Sequence, residues 1–402
     1  MKQIYLDNAA TTPLDKSILE KMLPYFSEKY GNPSSLHQKG REAKEALDVS
    51  RQAVAKVLNA EAEEIIFTAS GTESDNLALL GIAKAYRSFG NHIIISKIEH
   101  KAVLESAKKL EEEGFEVTYV NVDGDGIVNI KEFKKALKKE TILISIMYAN
   151  NEVGTIQPLQ KIAKIILNHR EQNERSVIPF FHTDACQAVG SCVVDVKQLG
   201  VDLLTCNSSK IYGPKGIACL YRKNGIKLNQ QVVGGEQEWG LRAGSEAVPL
   251  IVGFAESMVL AEKNRVKESK RLTELRNYFI SQLFKAIPIS KLNGHSQMRL
   301  PNNVNISIPE IEGESIVLML DKYGIYTSTG SACAARDLNP SHVLLAIGLS
   351  PEEAHGTVRF TMGKYTTKED LEFVVKVMPD IVWKLQRISS LSPSFVSISS
   401  KI

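Results

Sequence analysis

The chain has 402 residues, of which 43% are hydrophobic and 24% are charged, a composition typical of a soluble globular protein with two or three domains. This composition excludes a disordered, collagen-like or coiled-coil protein. The net charge of +3 is too small over this length to favour a nucleic-acid partner or a membrane surface.

The cysteines and the apolar runs indicate the compartment. Five cysteines form an odd number without a C-x2-C pair, which argues against a disulfide framework or a zinc ribbon. Residues 1–12 lack the apolar run of a signal peptide, and no stretch reaches the roughly 18 apolar residues that a membrane helix needs. We therefore expect a cytoplasmic protein.

Short apolar runs alternate with helix-sized segments through the first part of the chain. Such runs, rich in Ile, Val, Phe and Tyr, predict a mostly parallel sheet covered on both faces, which is an α/β domain. The predicted strands are residues 64–70, 92–96, 116–122, 141–149, 179–185, 202–207 and 216–221.

After Pro249 the pattern changes to a long charged helix, predicted over about 250–286, followed by a short apolar run at 303–307 and a Gly/Ser/Thr-rich stretch at 326–332. This change predicts a second, smaller α+β domain that the N-terminal segment joins. The expected large domain is 15–258, and the small domain is 1–14 with 259–402. Residues 389–402 are serine-rich and predict a mobile tail.

Polar residues follow several of the predicted strands, at the sheet edge where open parallel sheets bind ligands. Ser70-Gly71-Thr72 stands where a strand meets a helix N-terminus, which suits a phosphate. The alternative is a capping box of Ser70 and Glu73 without a ligand.

Asp184 and Lys210 offer a carboxylate and an amine at the same edge. A protonated ring nitrogen would suit Asp184, although a helix cap or an ion pair is an equal alternative. An amine in a dry cleft is nucleophilic and can form an imine with an aldehyde cofactor, whereas most lone lysines are solvated charges.

Two residues of the second part are further candidates. Cys333 lies among small residues with Arg336 nearby, which favours a reactive thiolate, whereas the other four cysteines lie in or beside strands and are expected to be buried. Arg359 lies in an apolar strand and needs an anion, either a substrate carboxylate or a structural ion-pair partner.

Other motifs indicate no ligand. The DGDG sequence at 123–126 has the wrong residues for a calcium loop and predicts a hairpin turn. No P-loop or strand-borne G-x-G-x-x-G is present, so neither a nucleoside triphosphate nor a nicotinamide is indicated, and no metal is expected.

Taken together and in order, these motifs resemble the cysteine desulfurases of the NifS/IscS type, in the class V aminotransferase family of pyridoxal phosphate enzymes. The resemblance covers nearly the whole chain. It is carried by YLDNAATTP (5–13), GNPSS (31–35), TESDN (72–76), EHKAV (99–103), NNEVG (150–154), DACQ (184–187), KIYGPKG (210–216), GLRAGS (240–245), GSAC (330–333) and VRF (358–360).

The resemblance implies the fold type I architecture, with a mostly parallel seven-stranded sheet in the large domain and a smaller α+β domain. It makes Lys210 the Schiff-base lysine and Asp184 the partner of the ring nitrogen. His100 would stack on the ring and move protons, and Gln187 would bond the ring hydroxyl. The remaining expected contacts are Gly71 and Thr72 to the phosphate, Asn151 to cofactor and substrate, Arg359 to the substrate carboxylate, and Ser245 to the phosphate of the partner subunit in a homodimer.

The implied reaction removes sulfur from L-cysteine, giving L-alanine and a persulfide on Cys333. The sulfur would then pass to an acceptor protein, such as an iron–sulfur scaffold, for iron–sulfur cluster assembly or tRNA thiolation. No direct contact with nucleic acid and no membrane is expected.

One motif departs from the family pattern. The family usually has Ser-x-His-Lys before and at the lysine, whereas this chain has Asn207-Ser208-Ser209-Lys210. Asn207 and Ser209 are expected to donate to the phosphate in place of the usual serine and histidine, with roughly tenfold weaker cofactor binding.

Two alternative functions remain open. One is another pyridoxal phosphate reaction on the same fold, either aminotransfer or a selenocysteine-selective lyase; simple transamination has no use for a thiol such as Cys333. The other is a catalytically weak scaffold that carries sulfur and docks partners, which would require the loss of Lys210 or Cys333, and both are present.

Overall fold

A computed structural model describes residues 2–174, 177–330 and 340–388. Seven strands form the main sheet, and the other five described strands form a two-stranded sheet and a three-stranded sheet. In chain order the strands are β1 Ile4–Tyr5, β2 Ile65–Thr68, β3 His92–Ser96, β4 Glu116–Val120, β5 Thr141–Ser145, β6 Phe180–Asp184, β7 Leu203–Asn207, β8 Ala218–Arg222, β9 Lys291–Leu292, β10 Asn303–Ser307, β11 Ile325–Tyr326 and β12 Thr357–Thr361.

Helices surround these sheets. In chain order the described α-helices are α1 Lys16–Met22, α2 Pro24–Ser27, α3 Gln38–Leu58, α4 Gly71–Tyr86, α5 Lys101–Glu112, α6 Ile130–Ala136, α7 Leu159–Gln172, α8 Val196–Leu199, α9 Val248–Ala286, α10 Gly313–Asp321, α11 His342–Ala346, α12 Pro351–His355 and α13 Lys368–Ile388.

The main sheet has the strand order β2-β8-β7-β6-β5-β3-β4. The strands β7, β6, β5, β3 and β4 pair in parallel, whereas β8 is antiparallel to both of its neighbours. The prediction of a mostly parallel seven-stranded α/β sheet is therefore confirmed, and each of the seven predicted apolar runs overlaps one of its strands.

Successive side chains of the central strands point to opposite faces of the sheet, as the pleat requires. Phe181 packs in one core with residues of α3, α7 and α9, and Phe180 packs in the other with residues of α4 and α5. Both faces are covered, so β3, β5 and β6 are buried along their whole length. This burial explains why β3 and β5 carry uninterrupted apolar residues between their polar ends rather than an alternating pattern.

A third core lies between β10, β12, α10, α13 and the C-terminal half of α9. The N-terminal segment belongs to this core, because Ile4 and Leu6 are buried in it and β1 pairs in parallel with β11. The N-terminal half of α9 packs on the main sheet instead, through Ile251 and Phe254. The predicted boundary at 258/259 lies within α9 and stays a prediction.

Two local predictions can be compared with the structure. Residues 123–126 form a turn in which the Asp123 amide donates to the Ile127 carbonyl at 2.9 Å, between the antiparallel bridge partners Val122 and Val128, so the hairpin turn is confirmed. Cys186, Cys206 and Cys219 are buried and Cys192 is half-buried, which agrees with their expected place beside strands. Residues 389–402 lie outside the described residues.

Candidate active site

A cavity of about 490 Å³ lies at the carboxyl edge of the main sheet. Loops after β2, β3, β5, β6 and β7 contribute to its wall, as the parallel arrangement of these strands requires. Most of the predicted site residues line it: Gly71, Thr72, His100, Asn151, Asp184, Gln187, Asn207, Lys210 and Arg359.

The N-terminus of α4 faces this cavity. Ser70 caps the helix, because its Oγ accepts a hydrogen bond from the Glu73 amide at 3.1 Å. The Glu73 carboxylate in turn accepts from the Ala69 amide at 2.8 Å. The predicted cap is therefore present, and Ser70, Gly71 and Thr72 also line the cavity, where the helix dipole favours an anion.

Lys210 ends a turn of 3₁₀ helix that follows β7 directly. Its Nζ donates a hydrogen bond to the Ala10 carbonyl of the N-terminal segment. The same segment holds the turn itself, because the amide and the Oγ1 of Thr12 donate to the Ser209 carbonyl at 2.8 and 3.0 Å. The YLDNAATTP motif therefore fixes the position of the lysine from a distant part of the sequence.

Asp184 is the last residue of β6 and is 6% exposed. Its Oδ1 accepts a hydrogen bond from the Cys186 amide at 2.8 Å. One oxygen of Asp184, one oxygen of Asp75 and one ring nitrogen of His100 all lie within 4.8 Å of one another. His100 is the N-cap of α5, and its Nδ1 accepts from the Ala102 amide at 3.1 Å.

Arg359 is central to the opposite wall and is 2% exposed. Its NH2 group donates to the Asp7 carboxylate at 2.8 Å, and its NH1 group donates to the Asn151 carbonyl at 2.9 Å and the Gly330 carbonyl at 3.1 Å. Its Nε is buried and has no hydrogen-bond partner among the described residues. The structural ion pair is therefore present, and an unused donor remains on the guanidinium.

Two predicted site residues do not line this cavity, and a third lies outside the described residues. Ser209 is half-buried, and its carbonyl accepts a hydrogen bond from Thr12. Asn207 lines the cavity, whereas Ser209 does not. Ser245 is exposed and lies away from the cavity of its own chain. Cys333 lies outside the described residues.

Among the buried acids of the cavity wall, Asp75 and Glu99 had no role in the sequence analysis. Asp75 is 1% exposed and Glu99 is 0% exposed. Burial raises the pKa of Glu99 to about 8, although its carboxylate accepts hydrogen bonds from the Ser96 hydroxyl and the Met147 amide. Both acids belong to motifs that carried the resemblance, TESDN and EHKAV. Their burial could not be predicted from these motifs, because it depends on how the strands and helices pack.

The polar groups of the cavity fit pyridoxal phosphate. An anionic group would meet the amides at the α4 N-terminus and the Nδ2 group of Asn207, which lies 3.5 Å from the position that a Cβ on Gly71 would occupy. The buried carboxylate of Asp184 could pair with a cationic ring nitrogen, and the amine of Lys210 could react with an aldehyde.

Comparison with known proteins agrees with this geometry. Residues 4–374 match the family described as aminotransferase class-V. The chain is 50% identical to a cysteine desulfurase IscS of Dictyoglomus turgidum over 388 residues, with 96% of each chain covered. This chain belongs to the class V aminotransferases, among the cysteine desulfurases of the IscS type.

Further relatives support the same assignment. A cysteine desulfurase IscS of Clostridium botulinum is 47% identical, with 97% of each chain covered. A solved structure described as a NifS-like protein is 37% identical and superposes with a TM-score of 0.88, covering 96% of this chain and all of the other. Among the described residues, no helix of this cysteine desulfurase is long and apolar enough to span a membrane.

Proposed function

We propose that this cysteine desulfurase binds pyridoxal phosphate in the cavity at the carboxyl edge of its main sheet and uses it to take sulfur from L-cysteine. The observation that carries the proposal is that Lys210, Asp184 and His100 meet in one cavity with the α4 N-terminus and with Arg359. A general ligand pocket would not need an amine, a buried carboxylate and an anion site together.

The phosphate would lie at the start of α4. Gly71 and Thr72 supply amides of the first helical turn and the Thr72 hydroxyl, and Asn207 supplies an amide side chain from the end of β7. Ser245 of the partner subunit would complete this phosphate site. Ser209 is then a supporting residue that shapes the lysine turn rather than a direct donor.

The ring would lie between His100 and the carboxyl end of β6. Asp184 would hold a protonated ring nitrogen, because a buried carboxylate is stabilised by an adjacent cation. Gln187 would reach the ring hydroxyl; its Nε2 already donates to the Ala9 carbonyl at 3.0 Å, which fixes the direction of the side chain.

Pyridoxal phosphate, when bound, supplies an electron sink that makes the α-proton of cysteine acidic. Lys210 would hold the cofactor through its amine, and its Nζ would move that proton. Arg359 orients the substrate by its carboxylate, with the unused Nε as the available donor. Asn151, whose carbonyl Arg359 already binds, lies beside both.

Cys333 would accept the sulfur. Its thiolate attacks the substrate sulfur, a new S–S bond forms, and the carbon–sulfur bond of the substrate breaks, so that the carbon skeleton leaves as L-alanine. The persulfide would then pass to a sulfur-acceptor protein for iron–sulfur cluster assembly or tRNA thiolation. The acceptor, the homodimer and a cytoplasmic location are parts of this proposal.

Borohydride reduction followed by peptide mapping tests the proposed cofactor site. The wild-type protein is expected to be yellow and to carry a reduced pyridoxyl group on Lys210 alone. Lys210→Ala should lose both the reducible absorbance and the production of alanine. The same reducible absorbance in Lys210→Ala would contradict the assignment of this lysine.

A further inference from the structure

Asp75 is a buried acid for which the proposed reaction has no role. It lies one turn inside α4, after Gly71, and it lines the cavity although it is only 1% exposed. Its Oδ1 is buried and has no hydrogen-bond partner among the described residues. A carboxylate in such a place is costly unless a ligand or a proton neutralises it.

The nearest acid is Asp184, which is expected to face the ring nitrogen. One oxygen of each carboxyl group lies within 4.8 Å of the other. His182 does not neutralise the pair. Its Nε2 is 3.6 Å from the Asp75 Oδ1, but burial lowers its pKa to about 4, and its two ring nitrogens contact the Ser145 and Thr205 hydroxyls.

The two carboxyl groups differ in their hydrogen-bond partners. Asp184 accepts a hydrogen bond from the Cys186 amide, whereas the Asp75 Oδ1 has no partner among the described residues. Burial, and then the charge of Asp184, raises the pKa of Asp75 well above its usual range, while a hydrogen bond with Thr205 acts in the opposite direction. The other titratable groups facing this region are Glu99, Cys186, His100 and Lys210.

We propose that Asp75 is a positioning residue of the cofactor site, a neutral carboxylic acid in the free site that ionises when a cationic ring nitrogen binds against Asp184. The inference rests on the proposed function, because it needs the pyridoxal ring at Asp184. On binding, the Asp75 O–H bond breaks and the proton passes to solvent, and the electron pair stays on the carboxylate. Cofactor binding and proton release are then linked.

Linkage gives this arrangement a measurable consequence. A binding step that releases a proton becomes more favourable as the pH rises, over the range in which the free site still holds that proton. An asparagine at position 75 keeps the shape of the side chain but has no proton to release. The wild-type protein should therefore gain affinity with pH relative to Asp75→Asn.

The experiment is dialysis of the holoenzyme against known concentrations of pyridoxal phosphate from about pH 6 to about pH 9, giving a dissociation constant at each pH. Wild type and Asp75→Asn should bind about equally at the low end, and wild type about tenfold more tightly at the high end, since one charge near the ring is worth at least one pKa unit. Asp370→Asn is the matched control, because Asp370 is also buried but pairs with Lys2 and does not line the cavity. The pH dependence of its cofactor binding should be the same as that of the wild type.

The outcomes separate the inference from the proposed function. Parallel curves for wild type and Asp75→Asn, whether superimposed or offset by a constant factor, would overturn the inference, because a purely structural role has no pH dependence of its own. Asp75→Ser, a second neutral variant, gives the same comparison if Asp75→Asn does not fold. A wild-type protein that binds no pyridoxal phosphate at any pH would overturn the proposed function itself.

Discussion

Arg359 and Lys210 of the site are each held by a neighbour that the linear sequence places far away. Arg359 binds Asp7, which is 352 positions earlier in the chain, and Lys210 binds the Ala10 carbonyl, 200 positions earlier. The residue types at strand ends could be predicted from the sequence, because parallel strands end at one edge. The partners of Arg359 and Lys210 could not be predicted, because they depend on how the N-terminal segment packs between the core at the main sheet and the third core.

Glu99 should make the stability of the protein depend on pH. Its pKa is about 8 in the folded protein, against about 4.5 for an exposed glutamate. The unfolded chain therefore loses this proton first, and the destabilisation grows as the pH rises from about 4.5 to about 8. Glu99→Gln removes this effect, and the amide oxygen can still accept from Ser96 and Met147. We expect the variant to be more stable by roughly 3 kcal/mol at pH 8 and nearly equal to wild type at pH 5.

Denaturant unfolding of the cofactor-free full chain at both pH values measures this difference. Glu112→Gln, at an exposed position of α5, is the control and should leave the pH dependence unchanged. A Glu99→Gln variant that is less stable than wild type by the same amount at both pH values would show that Glu99 is held ionised in the fold.

Ser209 offers a test of the departure from the family motif. The Ser209 side chain does not line the cavity, whereas the longer imidazole side chain would add a charge-assisted hydrogen bond to the phosphate, worth about 1.5 to 3 kcal/mol. Ser209→His should therefore slow the loss of pyridoxal phosphate on dialysis by about tenfold. Asn207→Ala, made in parallel, should accelerate it, because Asn207 lines the cavity. Equal or faster loss from Ser209→His, with an unchanged spectrum, would show that Asn207 already provides an equivalent contact.

Among the elements, α4 and the loop after β6 approach each other unusually closely. A Cβ on Gly71 would lie 2.8 Å from the Cys186 Sγ. Because Cys186 is itself buried, its sulfur has little room to move. Gly71→Ala should therefore destabilise the protein by about 1 to 3 kcal/mol through overpacking.

The double variant Gly71→Ala/Cys186→Ala makes that prediction specific. Removing the sulfur opens the space that the new methyl group needs, so the double variant should recover most of the stability lost in Gly71→Ala. Thermal unfolding of the four proteins of this cycle gives the coupling energy. Strictly additive effects would show that the contact between α4 and the loop after β6 is not the cause.

The strands show how far the sequence predicts the elements. The runs at 92–96 and 303–307 coincide with β3 and β10, whose ends are marked by polar residues. The run at 141–149 continues four residues beyond β5, which ends at Ser145. Residues 146–148 remain buried or half-buried, and their amides still bond the β6 backbone, from Ile146 to His182 and from Tyr148 to Asp184. An apolar pattern predicts that these residues are buried, but it does not predict the residue at which the regular pairing of the strand ends.

For the whole molecule, α9 connects the core at the main sheet to the third core, over 39 residues. The length and charge of α9 were predictable from the sequence. The sequence also predicted that the N-terminal segment joins the smaller domain. The division into domains at 258/259 remains a prediction, because one continuous helix crosses it.

The homodimer is the prediction that concerns the whole molecule. The loop that carries Ser245 also exposes large apolar side chains, with Val233 79% and Trp239 47% exposed. Burying such side chains against a second copy is favourable, and it would bring Ser245 to the partner's phosphate site. Light scattering should therefore give the mass of a dimer, and Ser245→Ala should lose cofactor faster without changing that mass. An active, cofactor-loaded monomer would contradict this arrangement.

In the proposed reaction, sulfur passes from L-cysteine to Cys333, and this transfer can be followed by mass spectrometry of the intact protein and its peptides after reaction with L-cysteine. The wild-type protein should gain one sulfur atom, located on Cys333, together with one molecule of L-alanine for each sulfur transferred. Cys333→Ser should keep the yellow cofactor and gain no sulfur. A persulfide on Cys186, Cys192, Cys206 or Cys219, or persulfide formation that persists in Cys333→Ser, would contradict the account.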